Sequence, residues 1–287
     1  MHCYPFPRGQ GRIIDRTGLG RLRFAADTLT VATSDGFSMR VMPNDLIGRH
    51  IYLTGQFDRT IPEVLLHFAQ DGDCIFDIGA NVGYVSCVLL AQLPRARVAA
   101  VEPLPACFAL LEENLAAVGR ERACAFNVAL SDRSGTGHMT CEPGNTGGSH
   151  LDMDTCDRAG ANSVAVQVST ADAIMTQSRF DRLDLVKIDV EGHEQSVLRS
   201  FLPVLKSHQP RAVLFECQRP ADVVPAGAPI RTLLESAGYS IYGIEKRLTS
   251  WRLHAVKPQA HAGNPSHDYV ALAPDAASRL AHKSKTL

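Results

Sequence analysis

No two of the eight cysteines are spaced as CxxC, and they are scattered from Cys3 to Cys217. The common zinc and redox spacings are therefore missing, and thiols inside apolar runs such as 85–91 are not expected to form a disulfide framework. Charge of one sign is missing too: 29 Lys and Arg face 30 Asp and Glu, for a net charge of -1. Attraction to polyanions needs a concentrated excess of Lys and Arg, so neither nucleic acid nor an anionic membrane is an expected partner. The longest uncharged stretch, 78–94, contains Gly79, Asn81 and Gly83 and ends at Pro94. It falls short of the roughly 20 apolar residues of a membrane span. The first residues have no apolar h-region and carry Pro5, Pro7, Gly9 and Gly11, so no signal or transit peptide is expected and the expected location is cytoplasmic.

What is present is an ordinary globular composition, 45% hydrophobic over 287 residues. That length allows two small domains or one large α/β domain with additions. Residues 1–23 hold Arg8, Arg12, Arg16, Arg21 and Arg23 against Asp15 and read as a flexible basic arm. Residues 24–70 read as a β-hairpin around Ser34-Asp35-Gly36 followed by a helix at 62–70, packed on the core. From 71 to 273, short apolar runs at 74–76, 97–101, 124–129, 184–188 and 212–215 alternate with helical spacing at 82–93, 104–118, 193–205 and 230–237. Repeated βα units predict an α/β fold with a doubly wound, mostly parallel sheet. The glycine-rich stretch 131–162 interrupts it as a loop-rich insertion, with a short hairpin expected at 136–141. Runs at 239–244 and 268–272 suggest a closing antiparallel hairpin, and 274–287 reads as a tail.

Three clusters carry chemistry. The first is Phe76-Asp77-Ile78-Gly79-Ala80-Asn81-Val82-Gly83-Tyr84, a strand entering a helix through a glycine turn that lets a ligand approach the backbone. A side chain at Gly79 is accordingly expected to block the ligand while sparing the fold. Asn81 and Tyr84 stand where the GxGxxG dinucleotide fingerprint needs glycine, so a pyrophosphate is disfavoured. An aspartate ending the strand suits a ligand with an ammonium and a sulfonium, which is S-adenosylmethionine. The second cluster is Glu102-Pro103 after 98–101, where a carboxylate can accept both ribose hydroxyls; its competing role is a helix N-terminal charge. The third is Asp189-Val190-Glu191-Gly192-His193, at the carboxyl end of another strand, with Glu216 ending the next. These carboxylates and the imidazole could bind a divalent metal through hard oxygen ligands, supply a general base or serve as helix caps; Asp189 is the first candidate for the base, with Glu191 and His193 assisting. No metal ligand set is assigned.

Together FDIGANVGY and LVKIDVEGHE, separated by VEP and NVALSD, resemble the FkbM family of S-adenosylmethionine-dependent methyltransferases over roughly residues 37–245. The resemblance implies methylation of a hydroxyl group, on a sugar or a glycosylated or polyketide natural product, by a Rossmann-like enzyme with a small-molecule or glycan acceptor. It also implies that Asp77, Gly79, Asn81 and Gly83, with Ala80 and Tyr84 in the same turn, hold the methionine part. Glu102 and Pro103 would then hold the ribose, and Asn127, Ala129 and Asp132 would flank the adenine. The loop 145–150 would face the acceptor. A binding protein of the same fold without turnover, or an NAD-dependent oxidoreductase, are the competing functions.

Overall fold

The computed structural model describes residues 14, 16–142, 144–153, 162–258 and 267–283; the first thirteen positions of the expected basic arm lie outside them. A mixed sheet forms the centre. Its parallel strands are β3 (Cys74–Ile78), β4 (Arg97–Val101), β5 (Ala123–Phe126), β10 (Leu185–Ile188) and β11 (Ala212–Glu216), continued by antiparallel β12 (Ser240–Lys246), β13 (Trp251–Ala255) and β14 (Asp268–Leu272). The order is β13-β12-β14-β11-β10-β3-β4-β5. Strand direction of build-up reverses between β3 and β10, and in open α/β sheets ligands bind at such a switch point, beyond the carboxyl ends of the strands.

Both faces of this sheet are covered, which is why β3 and β10 are buried at every residue. Alternation sorts their side chains. Phe76, Ile78, Val186 and Ile188 meet helices α5 (Ala171–Ser178), α6 (Glu194–His208) and α7 (Pro229–Ser236). Ile75, Val98, Leu185 and Leu214 meet α2 (Thr60–Phe68), α3 (Tyr84–Gln92), α4 (Pro105–Gly119) and α8 (Pro274–Lys283). The amino ends of the strands are fastened by Arg211, which binds Asp184 at 3.3 Å and Asp73.

Several elements differ from the sequence reading. A helix, α1 (Leu46–Thr54), follows the hairpin β1 (Leu29–Ala32) and β2 (Ser38–Val41); Asp45 caps it and Gly55 ends it in the left-handed conformation. The stretch 131–162 carries two strands among its loops, and they join strands on either side of it. Strands β6 (Ala129–Leu130), β7 (Gly135–Thr140), β8 (His150–Asp152) and β9 (Ser163–Ser169) form a second sheet in the order β6-β9-β7-β8. The hairpin expected within 136–141 is therefore a single strand, paired with distant β9 and β8. Residues 274–283 are no tail but α8, whose Ala276 and Leu280 join the core. The last residues assigned to the arm, Gly18–Arg21, form a 3-10 turn tied down by the Arg49 Nη1 bond to the Gly20 carbonyl at 2.7 Å.

Candidate active site

At the switch point the turn after β3 and the turn after β10 lie against each other. Gly79 N–H donates to the Val101 carbonyl at 2.9 Å, and Asp189 N–H donates to the Ile78 carbonyl at 3.0 Å. Over this junction runs the segment 144–149, held by the Asp45 carboxylate, which accepts from Thr146 N–H at 2.6 Å, and by Asn81, whose amide donates to Thr146 Oγ1 at 3.1 Å. Beneath it are two cavities of about 70 and 270 Å³ that share Ile47, Gly79, Asn81, Gly147, Asp189 and Glu191 on their walls.

The smaller cavity is an apolar slot walled by Ile78, Val101, Leu104, Val128, Ala129 and Leu130, with Pro103 at its edge. Besides the shared Asn81, Asp189 and Glu191, its polar lining consists of Glu102, Thr146, Ser149 and His193. Both Glu102 oxygens accept backbone N–H groups, Oε2 from Asn81 at 2.9 Å and Oε1 from Leu104 at 2.8 Å, so the carboxylate stiffens the turn and caps α4. Burial pushes its pKa up to about 7 against those bonds. Ser149 Oγ is buried without a hydrogen-bond partner of ordinary geometry among the described residues. His193 Nε2 lies 2.9 Å from Ser131 Oγ, and burial holds its pKa below the ordinary value.

The larger cavity is acidic. Asp58, Asp189, Glu191, Glu216 and Asp268 line it with one cation, Lys187, and the apolar faces of Phe57, Ile61, Tyr84 and Leu214. Burial first, then Asp189, raises Glu191 to about 7. Glu191 also occupies a left-handed conformation, φ 48°, which is unusual for a residue that is neither glycine nor asparagine.

Eleven of the candidate site residues named from the sequence thus lie on these walls: Gly79, Ala80, Asn81, Tyr84, Glu102, Pro103, Ala129, Asp189, Glu191, His193 and Glu216. Four do not. Asp77 is fully buried behind the turn, accepting from Ser86 Oγ at 2.7 Å and pairing with Lys187 at 3.2 Å, so a ligand's ammonium cannot reach it. Gly83 serves packing, since a Cβ there would sit 2.7 Å from Leu111 Cδ1. Asn127 donates to the carbonyls of Glu102 and Pro103, and Asp132 binds Arg199 at 2.8 Å; Val128, Ala129 and Leu130 form the wall between them. His193 lines the smaller cavity only, together with Glu191, and is thereby separated from Glu216, which lines only the larger one.

Lys187 has no role in the sequence reading, although a lysine inside a fully buried strand was the signal for one. Its Nζ donates to the Gly79 carbonyl at 2.7 Å and faces Asp77 at 3.2 Å and Asp189 at 3.5 Å. Among the described residues no group of three or more His, Cys, Asp or Glu is arranged to hold a metal ion, and no helix is long and apolar enough to cross a membrane.

Residues 77–241, more than half of the chain, match the family described as the methyltransferase FkbM domain. The chain is similar to the methyltransferase sdnD of Sordaria araneosa, 30% identical over 196 residues that cover 58% of this chain and 73% of that one. It is also similar to the hexuronic acid methyltransferase AglP of Haloferax volcanii, 28% identical and covering 62% and 70%. A third relative is the 31-O-demethyl-FK506 methyltransferase FkbM of Streptomyces tacrolimicus, 27% identical and covering 68% and 83%.

Proposed function

The chain belongs to the FkbM methyltransferase family, and from that premise we propose that it transfers a methyl group to a hydroxyl oxygen of a sugar or a glycosylated or polyketide-type small molecule. The methyl donor is S-adenosylmethionine, which when bound supplies an electrophilic methyl group on a sulfonium. The observation that carries the reading is the pair of cavities at the switch point, an apolar slot with a carboxylate and a buried hydroxyl on its wall and a wider acidic chamber that shares Asp189 with it.

Those groups fit a nucleoside cofactor. Each Glu102 oxygen gives one lone pair to a backbone N–H and keeps another for a ribose hydroxyl. Ser149 Oγ has the hydrogen-bond capacity that a nucleoside could use, and the aliphatic walls formed by Val101, Leu104, Val128 and Ala129 suit a flat base. On the other side, Asp189 is tied to Lys187 and its side chain is 40% exposed, so it can accept a hydrogen bond from an acceptor hydroxyl and fix its direction. Phe57 and Tyr84 offer ring faces to an acceptor of sugar size. Most of the acceleration expected of such a site comes from holding the oxygen in line.

Calorimetric titration with S-adenosylmethionine, S-adenosylhomocysteine and NAD tests the cofactor side, and methyl release into a panel of glycosides and macrolides tests the acceptor side. Tight NAD binding without a response to the adenosyl sulfur compounds would end this reading. Glu102→Gln is expected to weaken S-adenosylhomocysteine binding by about 1–3 kcal/mol. A pH series adds a second signature. Glu102 must be ionised to accept two hydroxyls and titrates near 7 in the empty fold, so wild-type affinity should rise from pH 6 to pH 8 while the variant's stays level. Equal affinity of the two proteins across that range would reduce Glu102 to a cap of α4.

A further inference from the structure

Asp189, Glu216 and Asp268 form a row along the rim made by the carboxyl ends of β10 and β11 and the amino end of antiparallel β14. The pairing of Ile188 with Phe215 sets Asp189 beside Glu216, and Glu216 itself pairs with Asp268. Each outer carboxylate has its own ammonium group: Lys187 lies 3.5 Å from Asp189, and Lys246 lies 2.7 Å from Asp268 and 2.6 Å from Asp58. The middle one has none. Among the described residues, the Glu216 carboxylate makes neither a hydrogen bond nor an ion pair, and it faces the larger cavity.

We propose that Glu216 is the general base of the reaction, taking the proton of the acceptor hydroxyl that Asp189 holds in place; this rests on the methyltransferase reading above. As the hydroxyl oxygen takes the methyl group, its O–H bond breaks and the proton passes to Glu216. The electron pair of the broken S–CH₃ bond stays on sulfur, and Glu216 then gives the proton to water at the cavity mouth. A carboxylate paired with a lysine has little need of a proton, whereas one wedged between two anions and half-buried holds it strongly. Burial first, then Asp189, Asp268 and Glu191, push Glu216 up to about 8, and Lys246 opposes them. A base that titrates close to the working pH combines sufficient ionisation with strong proton affinity.

Two variants, compared with wild type in two readouts, test this. With radiolabelled S-adenosylmethionine and a glycoside that accepts methyl, wild-type kcat/KM should rise with pH through about 8 and then level. Glu216→Gln should lose about 10²–10⁴-fold in rate and the pH limb with it. Asp189→Asn removes one of the repelling charges, so its limb should persist and move to lower pH. Thermal denaturation gives an acceptor-free readout. A carboxyl group whose folded pKa is raised binds more protons folded than unfolded, so it costs stability as pH climbs from its ordinary value towards 8. The melting temperature of Glu216→Gln should therefore gain on wild type between pH 5 and pH 9. A level difference over that range overturns the proposal, as does near-normal turnover by Glu216→Gln. So does activity that chelator removes and Mg²⁺ restores, because activation then belongs to a metal. If neither adenosyl compound binds wild type, the methyltransferase reading fails instead; binding with unimpaired Glu216→Gln turnover removes only the base.

Discussion

Gly79→Val is expected to deny the chain its fold, not merely its ligand. A Cβ at Gly79 would stand 1.8 Å from the carbonyl oxygen of Asp189 and 2.9 Å from its carbonyl carbon, and the residue has φ +74°. The opposing turn cannot retreat, because Asp189 N–H is bonded to the Ile78 carbonyl and Lys187 reaches across to the Gly79 carbonyl. Relief requires the two central strands to separate at their carboxyl ends, so even Gly79→Ala falls in the class of losses above about 4 kcal/mol that has a specific structural cause. Gly192→Ala isolates the conformational part: φ is +93° there, but a Cβ meets nothing within 4 Å. That variant should lose about 1–2 kcal/mol, the cost of a left-handed conformation for an L-residue. Thermal melts followed by circular dichroism separate the two. A Gly79→Val protein that melts within a few degrees of wild type would show that the turns are not locked together, and the expectation that valine only blocks the ligand would return.

That expectation illustrates how far the sequence carried. The central strands were legible because strands buried on both faces read as continuous apolar runs, as in Cys74-Ile75-Phe76 and in Leu185-Val186. The acidic residues that end β4, β10 and β11 were legible as site positions for the same reason, since in this architecture the end of a strand is the rim of the crevice. Direction was not legible. Asp77 and Asp189 each stand close to a glycine of a strand-to-helix turn, yet one is walled in and the other open to the cavity. Helix α1 escaped because its buried side includes Arg49 and His50, which break the apolar spacing. Strand β7 escaped because its glycine-rich sequence pairs with β9, some 25 residues away, and three-residue β8 because it is a strand only through its pairing with β7. The role of Glu216 depends on what its two neighbours are paired with, and no spacing along the chain carries that information.

Lys187→Met is expected to lose about 3–5 kcal/mol of stability, the usual consequence of leaving a buried charge without its counter-ion. The charge is that of Asp77, which has no exposure and whose only other side-chain partner among the described residues is Ser86 Oγ at 2.7 Å. Burial alone would lower the Lys187 pKa, but Asp77 and then Asp189 outweigh it and the net direction is upward. A lysine raised in the fold stabilises fully below its ordinary pKa of 10.5 and stops doing so as pH rises through the folded value, so the loss should be constant across neutral pH. Asp77→Asn alone should cost less, since Lys187 keeps Asp189 and the Gly79 carbonyl. The double variant should recover part of the Lys187→Met loss, because no unpaired charge then remains inside, and urea denaturation of all four proteins gives that coupling directly. The same lysine joins the fold to the site, tying the carbonyl of the β3 turn to the Asp189 carboxylate. Its loss should therefore weaken S-adenosylhomocysteine binding even well below the melting temperature, with Gly79 and Asp189 no longer fixed. If Lys187→Met costs less than about 1 kcal/mol, the buried pair is a device for placing Asp189 rather than a support of the fold.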